Sequence, residues 1–483
     1  MEQTLSDSDI NIADRLEDVS LHKDQRHPSV SRPTRASIVD LPTELLLHIF
    51  ELVYEEWNLD YHLPTSCCEL PHVLATVCPR WLEVLLLLPQ LWTHVVIFVD
   101  SDPTPLSSVR AFLEASKELT PIHVLVTRRD VESTPARISD TTERRRVHSV
   151  MQTILPHIHR IETMVFDVIH SSSLPRIGRD LFGDAPLMET LGLQCVNDDE
   201  VQSIEGIPHE FTTSELDELI LDGRNFIDVC RLSSTGWFHT IQKITIAHLA
   251  RPNNENFRLV CALDALTYCS QVKRITFHDV DMDYDRQRDA HSVVHHFPSL
   301  ELLSLEDLSG HMLAGFHSIT TNSSIMTSSG VQIAVKRCAM DNPALPTLCS
   351  LSLRGIGAEI NLTETFMRWR GESLSFFDCP CLDDDLLKAM LICGKDDDGH
   401  PTPSCSQLKY VDIWNCENFT TGTLIALLKS RAAAESDKVK PLVVLTVCGR
   451  GPELLEEDAM WLKSNVRAFV WRTELPDGRK CWR

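Results

Sequence analysis

The chain has 483 residues, room for two to four domains of ordinary size, and its 43% hydrophobic and 24% charged residues make a normal globular balance. A formal net charge of −24 argues against a nucleic-acid backbone or an anionic membrane as the main partner. The longest apolar runs, 84–88 and 95–99, fall far short of the ~20 residues of a membrane span. Residues 1–37 are polar and charged without a period, and are expected to be disordered. The first twenty have no apolar centre and do not read as a secretory leader. The 16 cysteines are therefore expected as reduced thiols in the cytoplasm or nucleus.

Residues 38–54, IVDLPTELLLHIFELVY, form the most apolar amphipathic stretch of the chain. On a helix, Leu41, Leu45, Ile49 and Leu52 share one face, and Leu46, Phe50 and Val53 share a second beside it. The apolar arc is roughly 240° wide, against ~100° for an ordinary surface helix. Pro42 suits the first helical position and Glu44 the positive end of the helix dipole. Such a helix needs cover on two sides. Residues 73–92, VLATVCPRWLEVLLLLPQLW, are expected to supply one side, with Val73, Val77, Trp81 and Leu85 recurring every four residues. Pro79 divides them into two short helices.

These residues resemble an F-box domain over 38–92. The matching marks are Leu41-Pro42, Glu44, Ile49, Val77-Cys78, Trp81, Pro89 and Leu91-Trp92. The spacer EEWNLDYHLPTSCCEL is longer than that pattern usually has. The resemblance implies a three-helix unit that docks onto the Skp-type adaptor of a cullin-based SCF ubiquitin ligase. The adaptor-binding residues it implies are Leu41, Pro42, Glu44, Leu45, Ile49, Leu52, Val77 and Trp81. The alternative is a hydrophobic start to a larger helical domain.

Residues 93–160 read as a linking region: a strand in THVVIFVD, a helix over 107–118, a strand over 121–127, a charged loop and a helix over 147–159. Arg144 to Arg146 are expected as a solvated helix start rather than a nuclear signal. From Ile161 a unit apolar-x-x-apolar-x-apolar recurs, as in Ile161-Met164-Phe166, Ile241-Ile244-Ile246 and Leu348-Leu351-Leu353. It continues to Leu408-Val411-Ile413 and Leu442-Leu445-Val447. Starts at 161, 188, 216, 241, 272 and 300 match a repeat period of roughly 20–29 residues. The series resembles leucine-rich repeats, the later ones the cysteine-containing type, with Cys379 and Cys416 just after their strands. The stretch 306–347 and the loop 394–404 interrupt the register. The expected fold is α/β: a three-helix F-box followed by an irregular leucine-rich-repeat solenoid over 161–483, with a parallel sheet on its concave face and a C-terminal cap. The alternative is an unrelated α/β sheet.

No catalytic motif emerges: there is no phosphate-binding Walker loop, no G-x-S-x-G and no H-E-x-x-H. Cys67-Cys68 and Cys379-Pro-Cys381 lack a second pair for zinc, and His291, His295 and His296 read as solvated helix residues. Asp383 to Asp385 read as a helix start. Neither an enzyme, a metal nor a cofactor is expected. The expected partners are the Skp-type adaptor, the cullin scaffold and a target protein held on the concave face. Residues between the apolar strand positions face that surface. Late strands place Arg354, Phe377, Tyr410, Asp412 and Trp414 there, a set rich in the side chains that dominate binding sites. Early strands place Thr163, Asp167, Glu218 and Asp222 there. Two readings compete with this one. The chain could be a repeat scaffold outside any ligase, or residues 450–483 could fold back over the late aromatics.

Overall fold

A computed structural model describes residue 38 and residues 41–59, 69–118, 121–129, 140–199, 209–231, 236–249, 257–285, 295–320, 330–339, 349–391, 393–395, 401–403, 405–433, 439–474 and 480–482. The N-terminal tail 1–37, most of the charged loop 128–146 and the spacer centre 60–68 lie outside them.

Among the described residues, three helices come first, α1 (Thr43–Leu59), α2 (Glu69–Ala75) and α3 (Pro79–Leu85). Pro79 occupies the first turn of α3, where its missing N–H leaves no bond unmade. A 3-10 turn, Pro89–Trp92, leads into the first strand, and Trp92 Nε1 donates to Leu85 O at 3.0 Å.

Fifteen strands then form one sheet in unbroken chain order. They are β1 (His94–Phe98), β2 (Ile122–Thr127), β3 (Ile161–His170), β4 (Thr190–Asn197), β5 (Glu218–Asp222), β6 (Lys243–Leu249), β7 (Arg274–Val280) and β8 (Leu302–Glu306). Then follow β9 (Gln332–Lys336), β10 (Ser350–Arg354), β11 (Ser373–Phe377), β12 (Tyr410–Trp414), β13 (Val444–Arg450), β14 (Ala468–Glu474) and β15 (Lys480–Trp482). Each pairs in parallel with the next except β14 with β15, which is antiparallel. Parallel neighbours need a crossover. Several crossovers carry helices: α4 (Leu106–Ala115), α5 (Asp140–Ile154), α6 (Gly223–Arg231), α7 (Leu259–Leu266), α8 (Gly310–Thr320), α9 (Thr363–Arg368), α10 (Asp384–Ala389), α11 (Thr421–Ala433) and α12 (Glu456–Asn465).

The apolar repeat positions fill the core. Met164 and Phe166, Leu219 and Leu221, Ile244 and Ile246, and Leu351 and Leu353 are all buried, while the residues between them are not. One continuous apolar cluster runs from Leu46 in α1 to Trp471 in β14.

The stack is longer than the sequence spacing implied. Strands β1 and β2 belong to the same sheet, so it begins before Ile161. The helix expected over 147–159 is α5, which starts seven residues earlier and ends in a 3-10 turn, Leu155–Arg160. Strand β9 lies inside the interrupting stretch 306–347: Ile333 and Val335 are its buried positions, and Val331 is buried just before it. Its first apolar residue sits one place closer to the second than in the other units, which hides it from the repeat pattern. The interruption at 394–404 contains a short antiparallel pair, Cys393–Lys395 with Pro401–Pro403.

Eight consecutive strands end alike. His248, Asp279, Asp307, Arg337, Gly355, Asp378, Asn415 and Gly449 all have φ between 50° and 75°. The strand registers align these positions across the sheet. This left-handed conformation turns the chain sharply off the sheet and aims each N–H at the neighbouring strand. Asp307, Arg337, Gly355, Asp378 and Asn415 each donate to the carbonyl of the last or near-last residue of the following strand, at 2.8–3.0 Å.

At all but Gly449, the residue after this turn points back into the core. At three units it is cysteine: Cys338, Cys379 and Cys416 are buried free thiols. Cys379 Sγ donates to Leu353 O and Phe377 O, both at 3.3 Å, and Cys416 Sγ accepts from Cys379 N at 3.4 Å. Burial pushes the Cys416 thiol up to about 12 and that of Cys338 up to about 11, so both stay neutral near pH 7. Cys338 and Cys416 therefore act as small apolar groups with a weak donor, and Cys379 is as deeply buried. Replacing Cys379 by alanine is expected to cost about 1–2 kcal/mol in urea unfolding. A stoichiometric zinc lost with that change would instead mark a metal site.

Candidate interaction surfaces

Two exposed surfaces hold the residues singled out from the sequence. The first is on the N-terminal helices. Leu46 and Phe50 turn inward, and Trp81 packs edge-on against Phe50, centroids 5.1 Å apart at 68°. Their burial fixes which way α1 faces. Leu45 and Leu52 are then left outward, each 50% exposed, with Ile49 half-buried between them on the same stripe. Pro42 and Glu44 are exposed, and Leu41 is half-buried, its carbonyl receiving the Arg80 guanidinium. Val77 is 53% exposed.

Trp81 therefore holds the helices together and reaches a partner only through them. Val73 is also exposed, as are Leu86 and Leu87, which the sequence pattern did not single out. The four-residue spacing of Val73, Val77, Trp81 and Leu85 does not make one face. Helix α2 ends at Ala75, Val77 lies in the turn, and Pro79 starts a new helix with its own orientation. Thr43–Leu59 thus has two apolar faces, one covered and one half-exposed. Exposed apolar side chains aligned on one helix mark an interaction surface more often than chance.

The second surface is the open face of the sheet at β9 to β13. Register puts Lys336, Arg354, Phe377, Trp414 and Cys448 on adjacent strands in one row. The rings of Phe377 and Trp414 stack at 6.3 Å and 19°. Trp414 is 41% exposed and Tyr410 40%. Asp412 lies between them on β12 and accepts from Ser375 Oγ at 3.5 Å. Arg354 is exposed on β10, beside Phe377 of β11, with no ion-pair partner among the described residues. The five residues thus share one face, a cation beside an aromatic stack.

The described part of 450–483 does not cover them. Strand β14 lies alongside β13 and extends the sheet. Trp471 is buried on the helix side, donating from Nε1 to Pro452 O at 3.1 Å. Trp461 is half-buried on α12, with Lys429 over its ring at 5.7 Å.

Two expectations are corrected. Asp222 is not on the open face. Its strand runs straight into α6, and the carboxylate is fully buried, accepting from Asn225 Nδ2 at 2.7 Å and Asn225 N at 3.2 Å. Burial raises its pKa to about 6, against the pull of Arg176. His295 is not a solvated helix residue. It lies outside any helix, is buried, and pairs through Nε2 with Asp264 at 2.9 Å. Asp383 does start a helix, accepting from Leu386 N at 2.8 Å. Thr163, Asp167 and Glu218 are half-buried on the open side.

Among the described residues, no group of three or more His, Cys, Asp or Glu is placed to hold a metal ion, and no helix is long and apolar enough to cross a membrane. No protein-family model matches the sequence, and no curated protein matches it.

Proposed function

We propose that the chain is the substrate-recognition subunit of an SCF-type ubiquitin ligase, an F-box protein with a leucine-rich-repeat domain. The N-terminal helices bind the Skp-type adaptor, which bridges to the cullin scaffold. The open, concave face of the repeats binds a target protein through Arg354, Phe377, Tyr410, Asp412 and Trp414. Other subunits supply the ubiquitin-transfer chemistry. The observation that carries this reading is the bare outer face of α1, Leu45 and Leu52, on a helix whose inner face is already satisfied. A bundle that only capped the sheet would need one apolar face. Burying such a face against a partner gains about 25 cal/mol per Å² of apolar surface, while a buried glutamate there is strongly disfavoured.

The test is capture from cell extract. Full-length chain is expected to bring down the Skp-type adaptor and the cullin. Leu45→Glu with Leu52→Glu is expected to abolish that capture with the melting temperature unchanged, because both side chains already face water. Tyr410→Ala with Trp414→Ala is expected to leave the adaptor bound and lose target proteins. Wild-type capture of partners through the repeats with no adaptor or cullin among them would favour a scaffold outside any ligase.

A further inference from the structure

The arginine run 144–146 is split by the fold. Arg146 turns inward and donates to Val99 O at 3.2 Å and to Asp100 O. Glu143 on the same side accepts from Ile169 N at 2.8 Å and His170 N at 3.1 Å. These contacts pin one face of α5 to the ends of β1 and β3. Arg144 and Arg145 are left on the other face, exposed and without an ion-pair partner among the described residues. That face looks onto the serine-rich turn after β3, and between them lies a cavity of about 380 Å³. Its volume is within the ~300–1,000 Å³ of small-ligand pockets.

The lining is cationic in a chain of net charge −24. Arg144 and Arg145 come from the helix, with His148 beside them, and Arg179 comes from across the cavity. One acid, Asp180, also lines it, and it is engaged by Arg179 at 3.2 Å and by Arg176 N at 3.0 Å. The lining is also apolar in part, with the buried Met151 and Leu174. The two guanidiniums of Arg144 and Arg145 at a cavity of this size suit a compact polyanion, since a guanidinium can give two parallel N–H bonds to phosphate oxygens. The apolar portion suits an organic group attached to it.

We propose that this cavity binds a small organic phosphate monoester. The site is on α5, away from α1 and from the aromatic stack of β11 and β12, so it stands whether or not the ligase reading does. Arg144 and Arg145 clasp the phosphate, the Arg179–Asp180 pair forms the opposite wall, and Met151 and Leu174 take the organic part.

The test uses the full chain, with phenyl phosphate, inorganic phosphate and benzoate as probes in calorimetry at low salt, where exposed cations are least screened. Saturable binding is expected for phenyl phosphate, weaker for inorganic phosphate, which leaves the apolar wall bare, and weakest for benzoate. Arg144→Ser with Arg145→Ser is expected to weaken phenyl phosphate by roughly tenfold or more per guanidinium removed. Its melting temperature without ligand should be unchanged, as both side chains are exposed. Arg274→Ser, which removes an exposed arginine on the sheet, should bind as wild type. Absence of saturable phenyl phosphate binding, or equal weakening by Arg274→Ser, would overturn the proposal.

Discussion

Trp369→Ala is expected to lower unfolding stability by about 3–5 kcal/mol, among the largest effects of any single truncation in this chain. The indole is fully buried, edge-on to Phe366 at 6.1 Å, and Phe366 in turn meets Phe376 of β11 at 5.9 Å. The site cannot collapse easily, because the backbone around it is already close. A Cβ on Gly371 would overlap both the Trp369 ring and Cys349 O. The cavity left by the indole would therefore persist, and each lost contact with it. Phe376 is the buried neighbour of Phe377, so the same change should loosen the aromatic stack on the open face. The measurement is urea unfolding followed by tryptophan fluorescence and amide exchange. A loss below about 1 kcal/mol would mean that the indole is not the core element described.

Asn415→Val is expected to cost about 2–4 kcal/mol, and Asn415→Gly distinctly less. Asn415 sits at φ 54°, in the left-handed region where a branched Cβ crowds the backbone at roughly 1–2 kcal/mol. Its side chain also links three units, donating from Nδ2 to Asp378 Oδ1 at 3.1 Å and accepting from Arg450 N at 3.1 Å. Two such bonds contribute about 0.5–1.5 kcal/mol each. Valine loses both the conformation and the bonds, whereas glycine loses only the bonds and adopts the turn freely. The difference between the two variants in chemical unfolding therefore measures the conformational part alone. Equal costs would show that the left-handed turn exerts no constraint at this position.

The sheet was legible because its signal repeats. A buried triad such as Leu219, Leu221 and Leu216 leaves the same apolar spacing in unit after unit, and stacking requires it. The unit at β9 was not legible, because Gly330 and Val331 shift the first apolar position by one. The turn ladder was illegible for a different reason. His, Asp, Arg, Asn and Gly all occupy it, so the conformation is set by the geometry between strand and crossover rather than by residue type. The apolar excess of 38–54 was readable as two faces, but which face stays bare depended on where Trp81 packs. Pro79 decided that by ending one helix and reorienting the next. Asp222 and His295 read as surface residues because charge is a strong prior for exposure. Their burial rests on partners, Asn225 and Asp264, whose proximity is tertiary.

The unbroken apolar cluster from Leu46 to Trp471 has a geometric consequence. The helices and the sheet share one interior, so no swivel separates α1 from the strands that follow. Eleven strand-to-strand steps lie between β1 and β12, and at about 4.8 Å each they set a span of roughly 50 Å along the sheet. The chain is in this sense a ruler. Whatever docks at Tyr410 and Trp414 is held at a set reach and angle from whatever docks at Leu45 and Leu52. Deleting a whole strand-and-crossover unit would shorten that reach by one step and rotate its far end, while leaving both end surfaces chemically intact.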